Sequence, residues 1–123
     1  MAVKFYKCAH CGNIIHKVED KGVPVMCCGE KMQELVPNTT DAAVEKHVPI
    51  ITKKCGKVSV NVGSVEHPMT EEHFISWICV ASEDKVMVKY LKAGDPPVAD
   101  FAGVGKDFTV YAYCNLHGLW ADK

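Results

Sequence analysis

"KVSVNV", residues 57–62, alternates without interruption, placing Val58, Val60 and Val62 on one face. A side-chain period of two belongs to a strand with one face in a core. Downstream, "HFISWICVA" (73–81) is apolar on both faces, the pattern of a central strand. "KVMVKYL" (85–91) and "FTVYAYC" (108–114) are rich in β-branched and aromatic residues. Between these runs lie "EHPMTEE", "SEDK", "KAGDPP" and "GVGKD", all turn chemistry. No segment holds a 3.6-residue apolar period long enough to specify a helix. Short strands separated by turns over about 85 residues predict an antiparallel β-sandwich of immunoglobulin-like type, in a chain that is mainly β.

Upstream the pattern changes. "VPNTTDAA" (36–43) is rich in turn formers and reads as a linker, which divides the chain into residues 1–36 and 37–123. The Asn38 "NTT" fits a glycosylation acceptor, but with no secretion signal it reads as a turn. In the first part, "NIIHKV" and "VPVM" flank "EDKG", which predicts a small hairpin. Four of the seven cysteines fall there: Cys8, Cys11, Cys27 and Cys28.

Composition removes several classes of function. With a net charge of −1, no global field would gather nucleic acid or an anionic membrane. No stretch approaches the roughly 18 apolar residues of a membrane helix, so the expected location is the cytoplasm. A reducing cytosol disfavours disulfides, leaving metal ligation as the leading use for clustered cysteines.

"CAHCG" and "CCG" aim sulfurs at one centre, and the glycine after each lets N–H groups approach the thiolates. Neighbouring side chains point apart on an unstrained chain, so Cys27 and Cys28 can share a metal only across a bent backbone. A set of four cysteines suits zinc or a single iron equally. The alternatives are a zinc ribbon or reduced core thiols. A vicinal Cys27–Cys28 disulfide would need a strained ring and an oxidising compartment. His10 and His16 read as surface residues, since four thiolates already fill a tetrahedron.

The other four histidines stand in "EKHVP", "VEHPM", "EEHFI" and "NLHGL". A single histidine is usually solvated or hydrogen-bonded. Here four coincide with Cys114, three residues before His117. If all five converge they exceed the four ligands at which zinc sites close. Four imidazoles in a plane with sulfur on the axis suit iron, with a sixth position left open. An axial thiolate pushes electron density toward whatever binds opposite.

With these motifs in the order "CAHCG…CCG", "AVEKHVP", "GSVEHPM", "EEHFI" and "YCNLHG", nearly the whole chain resembles desulfoferrodoxin, the two-iron superoxide reductase family. The resemblance implies a desulforedoxin-like (rubredoxin-like) amino-terminal module with one iron on Cys8, Cys11, Cys27 and Cys28. It implies a second iron in the sandwich, with His47, His67, His73 and His117 equatorial and Cys114 axial. The implied reaction is one-electron reduction of superoxide to hydrogen peroxide. Lys46 would steer the anion, and Glu45 would occupy the sixth position once the iron is ferric. Read from "EK" alone, the same two residues are a solvated pair. A homodimer and a rubredoxin-like electron donor are also implied, consistent with a chain lacking any nucleotide- or flavin-binding signature.

Two other classes stay open at this point: an electron-transfer protein working through its four-cysteine centre alone, and a zinc-stabilised interaction module. Cys79 reads as a small buried apolar group, Cys55 has no assigned role, Trp77 and Trp120 read as core or edge aromatics, and Glu71 and Glu72 as a solvated turn.

Overall fold

The computed structural model describes residues 3–122, and their backbone divides into two compact units between Val36 and Pro37. The amino-terminal unit holds β1 (Phe5–Lys7), β2 (Ile14–His16), β3 (Met26–Cys27), β4 (Glu30–Lys31) and β5 (Gln33–Leu35). Its three-stranded sheet runs β2-β1-β5, and β3 pairs only with β4. The hairpin expected around "EDKG" does not form. "IIH" (14–16) instead pairs with "FYK" (5–7), Tyr6 opposite Ile15, and Met26 and Cys27 pair with Lys31 and Glu30. A second turn competes for Met26 and Cys27. Cys28 and Gly29 both have positive φ, 53° and 78°, so they form the two-residue turn that matches strand twist. Buried apolar side chains in this unit are few: Phe5, Cys8 and Met32. Units this small need a metal or a partner to remain folded.

The second unit begins with a single helical turn, α1 (Val44–His47), then β6 (Pro49–Lys54), β7 (Lys57–Val62), β8 (Ile75–Ser82), β9 (Val86–Tyr90), β10 (Val98–Ala102), β11 (Phe108–Cys114) and β12 (Gly118–Ala121). Two antiparallel sheets result, β10-β7-β6 and β12-β11-β8-β9, an immunoglobulin-like sandwich of three and four strands. The expected inward face is observed, with Val58, Val60 and Val62 buried. They meet Ala99 and Phe101 from their own sheet and Ile78, Val80, Val110 and Ala112 from the other in one core. β8 is central and buried on both faces, as its composition demanded.

Three strands of this unit carry no clear strand pattern in the sequence: β6, β10 and β12. All are edge strands. Edges tolerate proline, glycine and charge because only one side is paired, and Pro49, Lys53, Lys54, Asp100 and Gly118 blur their patterns. The presumed linker is tied down. Asn38 donates from its amide to the Ala121 carbonyl at 3.1 Å and accepts from the Ala121 N–H at 2.9 Å.

One irregularity in the four-stranded sheet sets the aim of a cysteine. Tyr113 pairs with Trp77, but Cys114 pairs with Ile75, so Ser76 is bulged out. The slip turns both Ile75 and Ile78 into the core and delivers Cys114, fully buried, to its end. Among the described residues no helix is long and apolar enough to cross a membrane.

Candidate metal centres

In the amino-terminal unit, the sulfurs of Cys8, Cys11, Cys27 and Cys28 all lie within 4.8 Å of one another. The positive φ of Cys28 is the bend that adjacent cysteines require to face one point. N–H groups of His10 and Cys11 approach the Cys8 sulfur at 3.4 and 3.5 Å. These amides, Cys11 first, draw the Cys8 thiol down to about 6. Hydrogen bonding to Cys11 pushes Cys28 the other way, up to about 12. Four sulfurs this close cannot all ionise unaided, and a bound cation removes the conflict. All seven cysteines are free thiols, so no vicinal disulfide is present. His10 and His16 stay peripheral: His10 meets Glu30 at 3.2 Å on the surface, and His16 packs edge-on against Phe5.

The second cluster is assembled from separate loops at one end of the sandwich. His47 closes α1, His67 and His73 lie in the β7–β8 connection, and Cys114 and His117 span the turn between β11 and β12. The four imidazoles form a closed square. Successive ring centroids lie 4.7 Å apart for His47 and His67, 4.6 Å for His67 and His73, 5.0 Å for His73 and His117, and 5.0 Å for His117 and His47. Each ring stands nearly perpendicular to the next, at 76° to 88°. Donor atoms of His47, His73, Cys114 and His117 lie within 4.8 Å of one another, and His67 joins through its Nε2, 3.2 Å from Nε2 of His47.

The protonation pattern makes this a cation site. Nδ1 of His47 donates to the Ala43 carbonyl at 2.7 Å, and Nδ1 of His67 to the Pro68 carbonyl at 2.6 Å. A carbonyl can only accept, so both protons are on Nδ1 and both Nε2 atoms present lone pairs. Burial lowers His47 and drives His67 down to about 4, so both rings are neutral at pH 7. Two lone pairs facing each other at 3.2 Å repel unless a cation lies between them. Nε2 of His73 is buried with no hydrogen-bond partner, as expected of a ligand atom. Burial raises the Cys114 thiol, while N–H groups of Leu116 and His117 favour its thiolate. One soft sulfur with four imidazoles fits iron better than a four-coordinate zinc.

Lys46 and Glu45 are exposed on α1. After burial and the His117 charge, the Lys46 ammonium also holds His73 below its ordinary value, so its field reaches the square. The Glu45 carbonyl accepts from the Val65 N–H at 2.8 Å and from Ser64 Oγ at 3.3 Å. Gly63 makes this possible: at φ 84°, a Cβ would sit 2.7 Å from the Lys46 carbonyl and 2.5 Å from that of Val65.

Three neighbours were not legible as site residues. Trp120 stacks on His47, centroids 4.8 Å apart, and donates from Nε1 to the His117 carbonyl at 3.1 Å. Asn115 and Gly63 have the composition of ordinary loop residues, and the "CNLH" spacing around Asn115 was the available signal. Cys79 is fully buried and pushed up to about 12 by that burial, an inert thiol. Cys55 occupies an exposed positive-φ turn with Gly56, and Glu71 and Glu72 are exposed.

Comparison with known proteins agrees with this geometry. Residues 39–123 match the family model described as Desulfoferrodoxin. A desulfoferrodoxin homolog of Archaeoglobus fulgidus is 46% identical over 118 residues, covering 96% of this chain and 94% of that protein. The desulfoferrodoxin of Nitratidesulfovibrio vulgaris is 44% identical, covering 95% and 93%. The crystal structure of the superoxide reductase from Treponema pallidum superposes with a TM-score of 0.79 at 33% identity, covering all of both chains. The four-cysteine site and the histidine–cysteine site are consistent with the two iron centres of such proteins. With a four-cysteine cluster in one unit, a histidine–cysteine cluster in the other and the family model spanning the sandwich, the chain belongs to the desulfoferrodoxin family.

Proposed function

We propose that this chain is a superoxide reductase, reducing superoxide to hydrogen peroxide at the histidine–cysteine centre. The observation that carries the reading is the square of imidazoles with Cys114 reaching it from the core. Iron held there supplies a one-electron reductant, with the thiolate favouring electron release. In the balanced reaction superoxide gains one electron and two protons and leaves as hydrogen peroxide.

The chain's own residues do the rest. His47 and His67 are buried while His73 and His117 are only partly so, which gives the square a solvent side. Lys46, exposed on α1 beside His47, would attract a small anion that a net charge of −1 would not. The Ala43 and Pro68 carbonyls keep the protons of His47 and His67 on the outer nitrogens. Glu45 would supply a further carboxylate to the oxidised metal and so would help product leave.

Replacing Lys46 with alanine should slow the second-order reaction with superoxide by roughly tenfold and flatten its dependence on ionic strength, as measured by pulse radiolysis or stopped flow. An unchanged rate and salt slope would take Lys46 out of the mechanism. Glu45→Ala should leave that first encounter intact and change the ferric visible spectrum. An identical spectrum would count against its ligation.

Residues 1–36 serve in this reading as the four-cysteine iron module and residues 37–123 as the catalytic domain. The electron donor is a separate rubredoxin-like protein, and the working form is a cytoplasmic homodimer. Sedimentation of the metal-loaded protein at the mass of one chain would remove the dimer. Two irons per chain support the proposal as a whole, whereas stoichiometric zinc in a colourless protein would defeat it.

A further inference from the structure

We propose that Asn115 is a positioning residue that fixes His73 against Cys114, an inference that rests on reading these residues as ligands of one centre. Its side-chain amide brackets His73 from both directions. Oδ1 accepts from the Phe74 N–H at 2.9 Å, and Nδ2 donates to the Glu72 carbonyl at 3.0 Å. Its backbone N–H donates to the Phe74 carbonyl at 3.2 Å. The peptides on either side of His73 are thereby tied to the residue that follows Cys114.

The position in the sheet explains why such a clamp is needed. The β8–β11 ladder ends at Ile75 and Cys114, immediately after the Ser76 bulge. Beyond that point the two loops are no longer held in register by strand pairing, and Asn115 extends the pairing by one more step. His47 and His67 are steered through carbonyls on Nδ1. For His73 the hydrogen bonds fall on its backbone: the Thr70 turn, with Thr70 N–H to the His73 carbonyl at 3.0 Å, shapes the loop locally. The Asn115 bonds connect that loop to the residue beside the sulfur. Asparagine is suited to the task because it carries a donor and an acceptor on one short, planar group.

Asn115→Asp isolates the effect. It is isosteric and keeps the acceptor for Phe74, but it replaces the donor with an oxygen facing the Glu72 carbonyl. In the iron-loaded protein it should shift or broaden the visible thiolate-to-iron absorption of the histidine–cysteine centre and speed iron loss to a chelator by about tenfold or more. The absorption of the four-cysteine centre serves as an internal control and should not move. Asn115→Ala, with both side-chain bonds gone, should do at least as much. Should Asn115→Ala fail to fold, Asn115→Asp decides the matter. A variant that melts earlier yet keeps the wild-type band and chelation rate would show a merely structural role and overturn the proposal. A wild-type protein with no such band would instead overturn the metal-centre reading beneath it.

Discussion

Cys114→Ser should abolish the visible thiolate-to-iron absorption of the histidine–cysteine centre and slow superoxide reduction by about a hundredfold or more, beyond the roughly 10- to 100-fold typical of changes outside the ligand set. Serine nearly preserves volume, so the core around Val110 and Ala112 should survive. What changes is the donor. A hydroxyl does not ionise at neutral pH as a metal-bound thiol does, and oxygen gives up electron density less readily than sulfur. The Leu116 and His117 N–H groups that favour the Cys114 thiolate would then face a neutral oxygen. Stopped-flow mixing with superoxide, alongside the visible spectrum, checks both consequences. The absorption of the four-cysteine centre should be unchanged, because the two donor sets share no residue. If Cys114→Ser retained the band and the rate, the sulfur would not be a ligand.

Trp120→Ala should lower the stability of the sandwich by about 3–5 kcal/mol, the range for deleting a large buried aromatic. The side chain is 1% exposed, so nearly all of its surface is in the core. In a domain of this size each kcal/mol is worth about 4–8 °C, so the melting midpoint should fall by more than about 10 °C. Losing the stacked ring also frees His47 to rotate, and losing Nε1 releases the His117 carbonyl. Metal release to a chelator should therefore accelerate. Trp120→Phe keeps the stack but not the donor, and should recover most of the stability. Thermal denaturation of all three proteins measures this, and a fall of only about 1–2 °C for Trp120→Ala would mean that the indole is not part of the packing.

Much of the architecture was written in periodicity. The valines of "KVSVNV" needed only alternation to declare their inward face, and "ISWICVA" declared itself central by lacking a polar side. These strands sit between neighbours, where burial constrains composition most. Edge strands are under weaker constraint, which is why "VADFA" and "GLWA" carry no clear strand signal. The amino-terminal hairpin was misplaced for a different reason: "EDKG" and the Cys28–Gly29 turn are both good turn chemistry, and local preference cannot choose between them. Pairing "IIH" with "FYK" draws the first arm of the expected hairpin into the sheet that β1 also forms with β5.

The amino-acid order alone marked nine candidate donors whose types and spacing suit two metal ions, together with the central strands that carry or flank them. The tertiary structure decided what chemistry alone cannot encode locally. Cys114 owes its inward aim to a bulge at Ser76 on another strand, and His47 and His67 owe their tautomers to main-chain carbonyls. Trp120 and Asn115 acquired their places because folding brought them against loops far away in the chain. The physical reason is one of range. Identity and periodicity are properties of neighbours along the chain, whereas lone-pair direction and ring orientation depend on groups that become neighbours only when the sheets close.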